Sequence, residues 1–255
     1  MRKPTLLKTL AFVAGIFLAT AATAQVRLER LEVVLWPEYD RPAVLVILNA
    51  TLSADTELPA IVPMPMPTAA GAPHAVAKQG PNGNLLVAQH SVEVDGDWST
   101  IKVLTDSPSI RLEYYAPFAS TDAQRRHRFY WPQGIAIDQL YYEVLHPVGA
   151  TNMSLTPPAD GAVEADGLTF YRAELGPRPG SEPFSITFAY AKQAPTLSSP
   201  AVQAAPPVAV VQPATATEGQ GAGRSFDWVP LALVGLAAIV VMWLMFRRQG
   251  RPPQD

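Results

Sequence analysis

Apolar and polar residues alternate along 27–36, RLERLEVVLW. Leu31, Val33 and Leu35 fall on one side and Arg30 and Glu32 on the other, the period of a strand with one buried face. Residues 43–52 are apolar at nearly every position, which predicts a central strand covered on both faces. Residues 57–67 carry Pro59, Pro63, Pro65 and Pro67. Their missing N–H groups confine that extended stretch to a sheet edge or a loop. Asn82-Gly83 and Asp95-Gly96 are tight-turn pairs, and the second predicts a hairpin joining 85–94 to 98–105. Further strands are predicted at 110–115, 128–131, 137–145, 168–174 and 184–190. The polar interval 120–127 reads as a short helix or a mobile loop.

Short strands, frequent turns and no long helical period predict an all-β fold, a single antiparallel β-sandwich of jelly-roll or immunoglobulin-like type. Two tandem immunoglobulin-like domains meeting near Pro108 are the alternative, although no internal repeat supports them.

The two ends of the chain break this pattern. Arg2, Lys3 and Lys8 precede an apolar run over 9–22, and Ala22-Thr23-Ala24 offers a small-x-small cleavage site, so 1–24 reads as a signal peptide. Ala19-Thr20-Ala21 is a competing site. Residues 228–246, WVPLALVGLAAIVVMWLMF, carry no charge. As a helix they reach roughly 28 Å, close to the ~30 Å hydrocarbon thickness of a bilayer, which predicts a C-terminal transmembrane helix. Arg247, Arg248 and Arg251 follow, so the tail 247–255 is expected in the cytoplasm and everything before the span outside. Residues 193–227, rich in Pro, Ala, Thr and Gln, read as a flexible linker. This leaves 25–192 as the exported domain of a single-pass protein of the cell membrane, periplasmic or extracellular.

Charge and composition narrow its partners. The exported stretch holds 12 Lys and Arg against 19 Asp and Glu, a net of −7. Nucleic acid is therefore not an expected partner. The chain has no cysteine, which removes disulfides, thiolate zinc sites, cysteine nucleophiles and covalent haem attachment. His74, His90, His127 and His146 are scattered without ligand spacing, and no nucleophile elbow, phosphate loop or dinucleotide fingerprint occurs. No catalytic residue, metal or cofactor is therefore expected, and the chain reads as a non-enzyme.

Aromatic residues come in adjacent pairs: Tyr114-Tyr115, Tyr130-Trp131, Tyr141-Tyr142 and Phe170-Tyr171. Neighbours on a strand face opposite ways, so one ring of each pair should enter the core and the other stand outside. Tyr115, Tyr130, Trp131, Tyr142 and Tyr171 are the candidate ligand-binding residues of an aromatic platform suited to sugar rings or a protein partner. Arg125, Arg126, His127 and Arg128 form the only basic run of the exported stretch. It reads as a solvated loop, or as a place where an acidic partner docks.

The motif L-W-P-E-Y-D-R-P (35–42), followed by D-G-D-W (95–98), L-E-Y-Y (112–115), Y-W-P (130–132) and P-V-G-A (147–150), resembles a loosely known group of uncharacterised bacterial single-pass envelope proteins. The resemblance covers about 25–192 and implies an exported sandwich without carrying over any catalytic residue. Residues 166–190 also look like the last two strands of immunoglobulin-like surface modules, a likeness that bears on fold rather than function.

These features lead to the expectation of a membrane-anchored binding or assembly module that recognises an envelope protein or glycan. The alternative is an accessory or scaffold subunit of a membrane complex such as a transporter or a cytochrome-assembly machine. There the span itself would make contacts, through small residues such as Gly235, Ala237 and Ala238. N-terminal sequencing of the protein recovered from membranes is expected to begin at Gln25. An intact Met1 would instead mean that the leader is retained as a second anchor.

Overall fold

A computed structural model describes residues 26–121 and 123–199. The expected leader 1–24, the membrane span 228–246 and the tail 247–255 lie outside these residues. Among the described residues no helix is long and apolar enough to cross a membrane.

The described strands in chain order are β1 (Arg27–Pro37), β2 (Val44–Leu52), β3 (Ala60–Pro67), β4 (Ala75–Gln79) and β5 (Leu85–Val87). They continue with β6 (Gln89–Asp95), β7 (Trp98–Thr105), β8 (Ser109–Ala116), β9 (Ala119–Thr121) and β10 (Gln124–Trp131). The last are β11 (Ala136–Leu145), β12 (Thr151–Thr156), β13 (Gly161–Ala165), β14 (Leu168–Arg178) and β15 (Phe184–Ala191). A single 3₁₀ turn, Thr68–Ala70, is the one helical element described. The all-β expectation holds.

The strands form an eight-stranded sheet in the order β13-β14-β11-β1-β2-β8-β4-β5, a four-stranded sheet β12-β15-β10-β9 and a three-stranded sheet β3-β7-β6. The large sheet is mixed rather than purely antiparallel. Its centre, β1, pairs antiparallel with β2 and parallel with β11, setting Leu31 beside Leu140 and Val33 beside Tyr142. This corrects the expectation that the sandwich is antiparallel throughout. Strands from both sides of Pro108 share the sheet, so a division of the chain there would cut it in two.

One main core cluster draws on all three sheets. Leu31, Val33, Leu35, Val46, Leu48, Leu112 and Tyr142 come from the large sheet. Met64, Met66 and Ile101 come from the three-stranded sheet, and Phe129, Trp131, Ile186 and Phe188 from the four-stranded one. The result is sandwich-like, with the two smaller sheets facing the inner side of the large one. Residues 43–52 need cover on both faces, and receive it. On the outer side Val34, Trp36, Leu45, Ile47, Leu145 and Phe170 form a second cluster, joined at its rim by Tyr39, Tyr115 and Leu168.

Local chemistry explains most of the elements. In β3, Val62, Met64 and Met66 point into the core while Pro63, Pro65 and Pro67 alternate with them, and β3 is an edge strand as its prolines require. The β6–β7 hairpin turns through Gly96 and Asp97, with Gly96 at φ 57° and Asp95 paired to Trp98. Asp166 and Gly167, both with positive φ, close the β13–β14 hairpin in the same manner.

Three local expectations change. The run 85–94 is two strands, broken at Ala88, whose N–H bonds the Val76 carbonyl at 2.9 Å; β5 joins the large sheet and β6 the three-stranded one. In place of the expected helix or mobile loop at 120–127, β9 and β10 form an antiparallel pair, and β10 alternates His127 inward with Arg126 and Arg128 outward along its pairing with β15. The start of the expected tether is packed. Ser198 and Ser199 are buried, and their N–H groups bond the carbonyls of Glu38 and Tyr39 at 2.9 and 2.7 Å.

Candidate functional site

Of the rings picked out in the sequence, the alternation is right and the assembly is not. Tyr114 faces the core and Tyr115 the outer side of the large sheet; Trp131 faces the core and Tyr130 the outer side of the four-stranded sheet. Tyr142 and Trp131 are almost fully buried, so neither is open to a ligand. The outward member of the third pair is Tyr141, with the Arg30 guanidinium 4.1 Å from its ring centre. In the fourth, Phe170 fills the outer cluster, while Tyr171 aligns with the inward-facing Val144 and meets His146 Nδ1 through its hydroxyl at 3.2 Å.

Tyr115 is largely committed as well. Its hydroxyl donates to Asp40 Oδ2 at 2.7 Å, Arg41 lies 3.6 Å over its ring, and His74 meets it edge-on at 5.1 Å. Burial, then the bond to Asp40, pushes its pKa above the ordinary tyrosine value. The pairs lie on β8, β10, β11 and β14, of which only β11 and β14 are neighbours. They do not form one platform.

The motif at 35–42 builds a corner of buried charge. Glu38 takes φ 47°, a left-handed conformation costly for a residue with a Cβ, and turns its carboxylate inward. Its Oε2 accepts from the Tyr190 hydroxyl at 2.8 Å and lies 3.3 Å from Lys192 Nζ. Its Oε1 is 3.7 Å from Arg125 Nε. Glu38 and Lys192 are 3% and 1% exposed, so water contributes almost nothing to either charge. Burial, then the adjacent carboxylate, pushes the Tyr190 hydroxyl pKa far up, keeping it a neutral donor. Lys192 Nζ also bonds the Thr196 carbonyl. The cluster thus joins the β1–β2 turn to β10, β15 and the segment after β15. Glu38, Tyr190 and Lys192 answer one another, and Arg125 joins them as an ion pair, which marks the cluster as structural.

A second buried carboxylate, Glu143, holds the outer cluster together. It accepts from Trp36 Nε1 at 3.3 Å and from Arg172 Nε at 2.8 Å. Burial raises its pKa, and Arg172 opposes that shift.

One outward surface combines rings, charge and hydroxyls without being sealed. On the outer face of the four-stranded sheet, β10 presents Arg126, Arg128 and Tyr130 in register with Ala189, Thr187 and Ser185 of β15. Ser154 and Thr156 of β12 extend the same rows. Arg128 lies 5.3 Å from the Tyr130 ring centre, and Trp98 at the start of β7 brings its ring within 5.7 Å of Tyr130. Both arginines are exposed and both rings are half-buried. Trp98 was not among the sequence candidates; its signal was the D-G-D-W turn, which places it first on its strand and outward. Among the described residues, no three His, Asp or Glu side chains come together as a metal site.

No family model matches the chain, and no curated protein matches it. Among solved structures it is similar to an M1 zinc metallopeptidase from Deinococcus radiodurans, at 13% identity over 64% of this chain and 42% of that one, with a TM-score of 0.42. It is also similar to a protein from Parabacteroides distasonis ATCC 8503 that carries a provisional protease designation, at 11% identity over 66% of this chain and 41% of that one, with a TM-score of 0.38. The chain spans less than half the length of either. A likeness at this level carries no argument about activity.

His127 supplies a pH test of the core beneath this face. It is buried beside Phe188, with ring centres 5.5 Å apart, and Nδ1 donates to the Pro117 carbonyl at 3.1 Å. Burial lowers its pKa from 6.5 to about 4, so it is neutral in the fold at neutral pH. Between those values the unfolded chain binds the proton more readily, so this contribution to stability is complete above the unfolded pKa and is lost as pH falls toward the folded one. Denaturant unfolding of the wild type and of His127→Gln should show a wild-type loss on acidification that the variant lacks. Equal pH slopes in the two would contradict the burial.

Proposed function

We propose that this chain is a non-catalytic binding or assembly module, exported and held at a membrane by 228–246, that recognises an envelope protein or glycan. The outer face of the four-stranded sheet is its contact surface. The observation that carries the reading is the open grouping of Trp98 and Tyr130, 5.7 Å apart, beside Arg128. Ring faces offer broad apolar contact at small cost in side-chain entropy. Arginine adds planar, charge-assisted hydrogen bonds to carboxylate or phosphate oxygens. The hydroxyl rows of Ser185, Thr187, Ser154 and Thr156 offer both donors and acceptors. On a stretch with a net charge of −7, the two exposed arginines are a local reversal of sign that orients an acidic partner.

The test uses the full chain in detergent, immobilised through its C-terminal tail and exposed to a solubilised envelope fraction. Trp98→Ala and Tyr130→Ala should each weaken retention by roughly 30-fold, the ~2 kcal/mol of an interface anchor. Arg128→Glu should weaken it further at low salt than at high. Tyr141→Ala, on the large sheet, should leave retention unchanged. Unaltered retention by both ring variants would remove this face as the contact surface.

A further inference from the structure

We infer that the free edge of β6 pairs antiparallel with β6 of a second copy of this chain, joining two three-stranded sheets into one continuous sheet. Every residue of β6 is exposed, although its partner β7 is half core. His90, Val92 and Val94 align with Val103, Ile101 and Ser99, and through them with Val62, Met64 and Met66, so they continue the core-facing rows. The core stops short of them, leaving Val92 and Val94 45% and 65% exposed. Leu86 and Val87, on the adjoining β5, are exposed on the same run of chain, Val87 at 89%. Apolar edges of this kind are rarely left bare.

The other edge of the same sheet is protected. β3 carries Pro63, Pro65 and Pro67, which have no N–H to offer a further strand. β6 has no proline. In a two-residue hairpin the closing pair, here Asp95 and Trp98, exchanges both backbone bonds, and the pattern then repeats every second residue. Glu93 and Ser91 therefore bond β7, while His90, Val92 and Val94 turn their N–H and C=O groups outward, ready for another strand.

The sequence of this edge fits itself. In an antiparallel pair centred on Val92, Val92 meets its own copy and His90 meets Val94, all at positions whose backbone groups are free. The core-facing rows of the two copies then lie on one side and merge. On the other side Ser91 meets Glu93 and Gln89 meets Asp95, so no like charges stand directly opposite. The two Glu93 carboxylates lie on a diagonal, each held by Lys102 of its own chain. This complementarity selects a second copy as the occupant over an unrelated strand.

The absence of cysteine makes the register directly readable. Full chains carrying Val92→Cys, at the centre of the pairing, should shift to twice the monomer mass on mild oxidation in native membranes. Val163→Cys, equally exposed on the edge strand β13, should remain monomeric. His90→Cys and Val94→Cys should cross-link when the two are co-expressed and not when either is alone. The inference is overturned if Val92→Cys stays monomeric, if it links instead to a different protein, or if His90→Cys links to itself as readily as to Val94→Cys. None of these outcomes depends on the ligand surface of the four-stranded sheet.

Discussion

A carboxylate with almost no access to water must be surrounded by groups that replace it, and Glu38 is such a carboxylate. Its partners Tyr190, Lys192 and Arg125 come from far along the chain, so the contact can exist only when β10 and β15 are already packed against the β1–β2 turn. Breaking a pair of this kind is costly because the remaining charge stays buried. The left-handed backbone at Glu38 adds local strain that this surrounding structure must hold. The same corner receives Ser198 and Ser199, so it also sets where the chain leaves the sandwich. If the later residues tether the domain to a membrane, their path starts from this corner and not from the end of β15.

The rest of the architecture follows from covering both faces of one large sheet. Its inner face packs on the two smaller sheets. Its outer face is occupied by Trp36, Phe170 and their neighbours, with Glu143 and Arg172 supplying the polar closure. Aromatic residues on β8, β11 and β14 are therefore spent mainly on packing. Among the described residues, the outer face around Tyr130 and the bare edge of β6 are left open. A ligand on the first and a second copy on the second would not compete, since one uses a sheet face and the other a strand edge.

Much of the local structure could be read from the residues. The two-sided apolarity of 43–52 matches a central strand and the prolines of 57–67 lie on an edge as their chemistry demands, whereas 27–36, read as a strand with one buried face, is buried on both faces from Val33 onward. Adjacent aromatics do face opposite ways. Alternation alone carries no phase, however, and for two tyrosines in a row nothing in composition says which is inside; hence Tyr142 is core and Tyr141 is outside. The parallel pairing of β1 with β11 depends on contacts between residues about a hundred positions apart, which no local pattern encodes. β4, β12 and β13 are short and mixed in polarity, and were invisible for that reason. The motif at 35–42 stood out in the sequence, but its residues serve a buried corner: the Trp36 and Tyr39 rings meet at a tilt with centres 4.8 Å apart, Asp40 and Arg41 hold Tyr115, and Glu38 turns inward.

The dependence of the fold on that corner is most directly measured by a double-mutant cycle on the full chain, with Glu38→Gln, Lys192→Met and the pair together, followed by denaturant unfolding. Each single change should cost about 3–5 kcal/mol, and the pair should cost clearly less than the two added together, because the charge stranded by either one is then gone. Single losses that are small and simply add would contradict the account: the two charges would then not be coupled, and the corner would not be what holds this end of the sandwich closed.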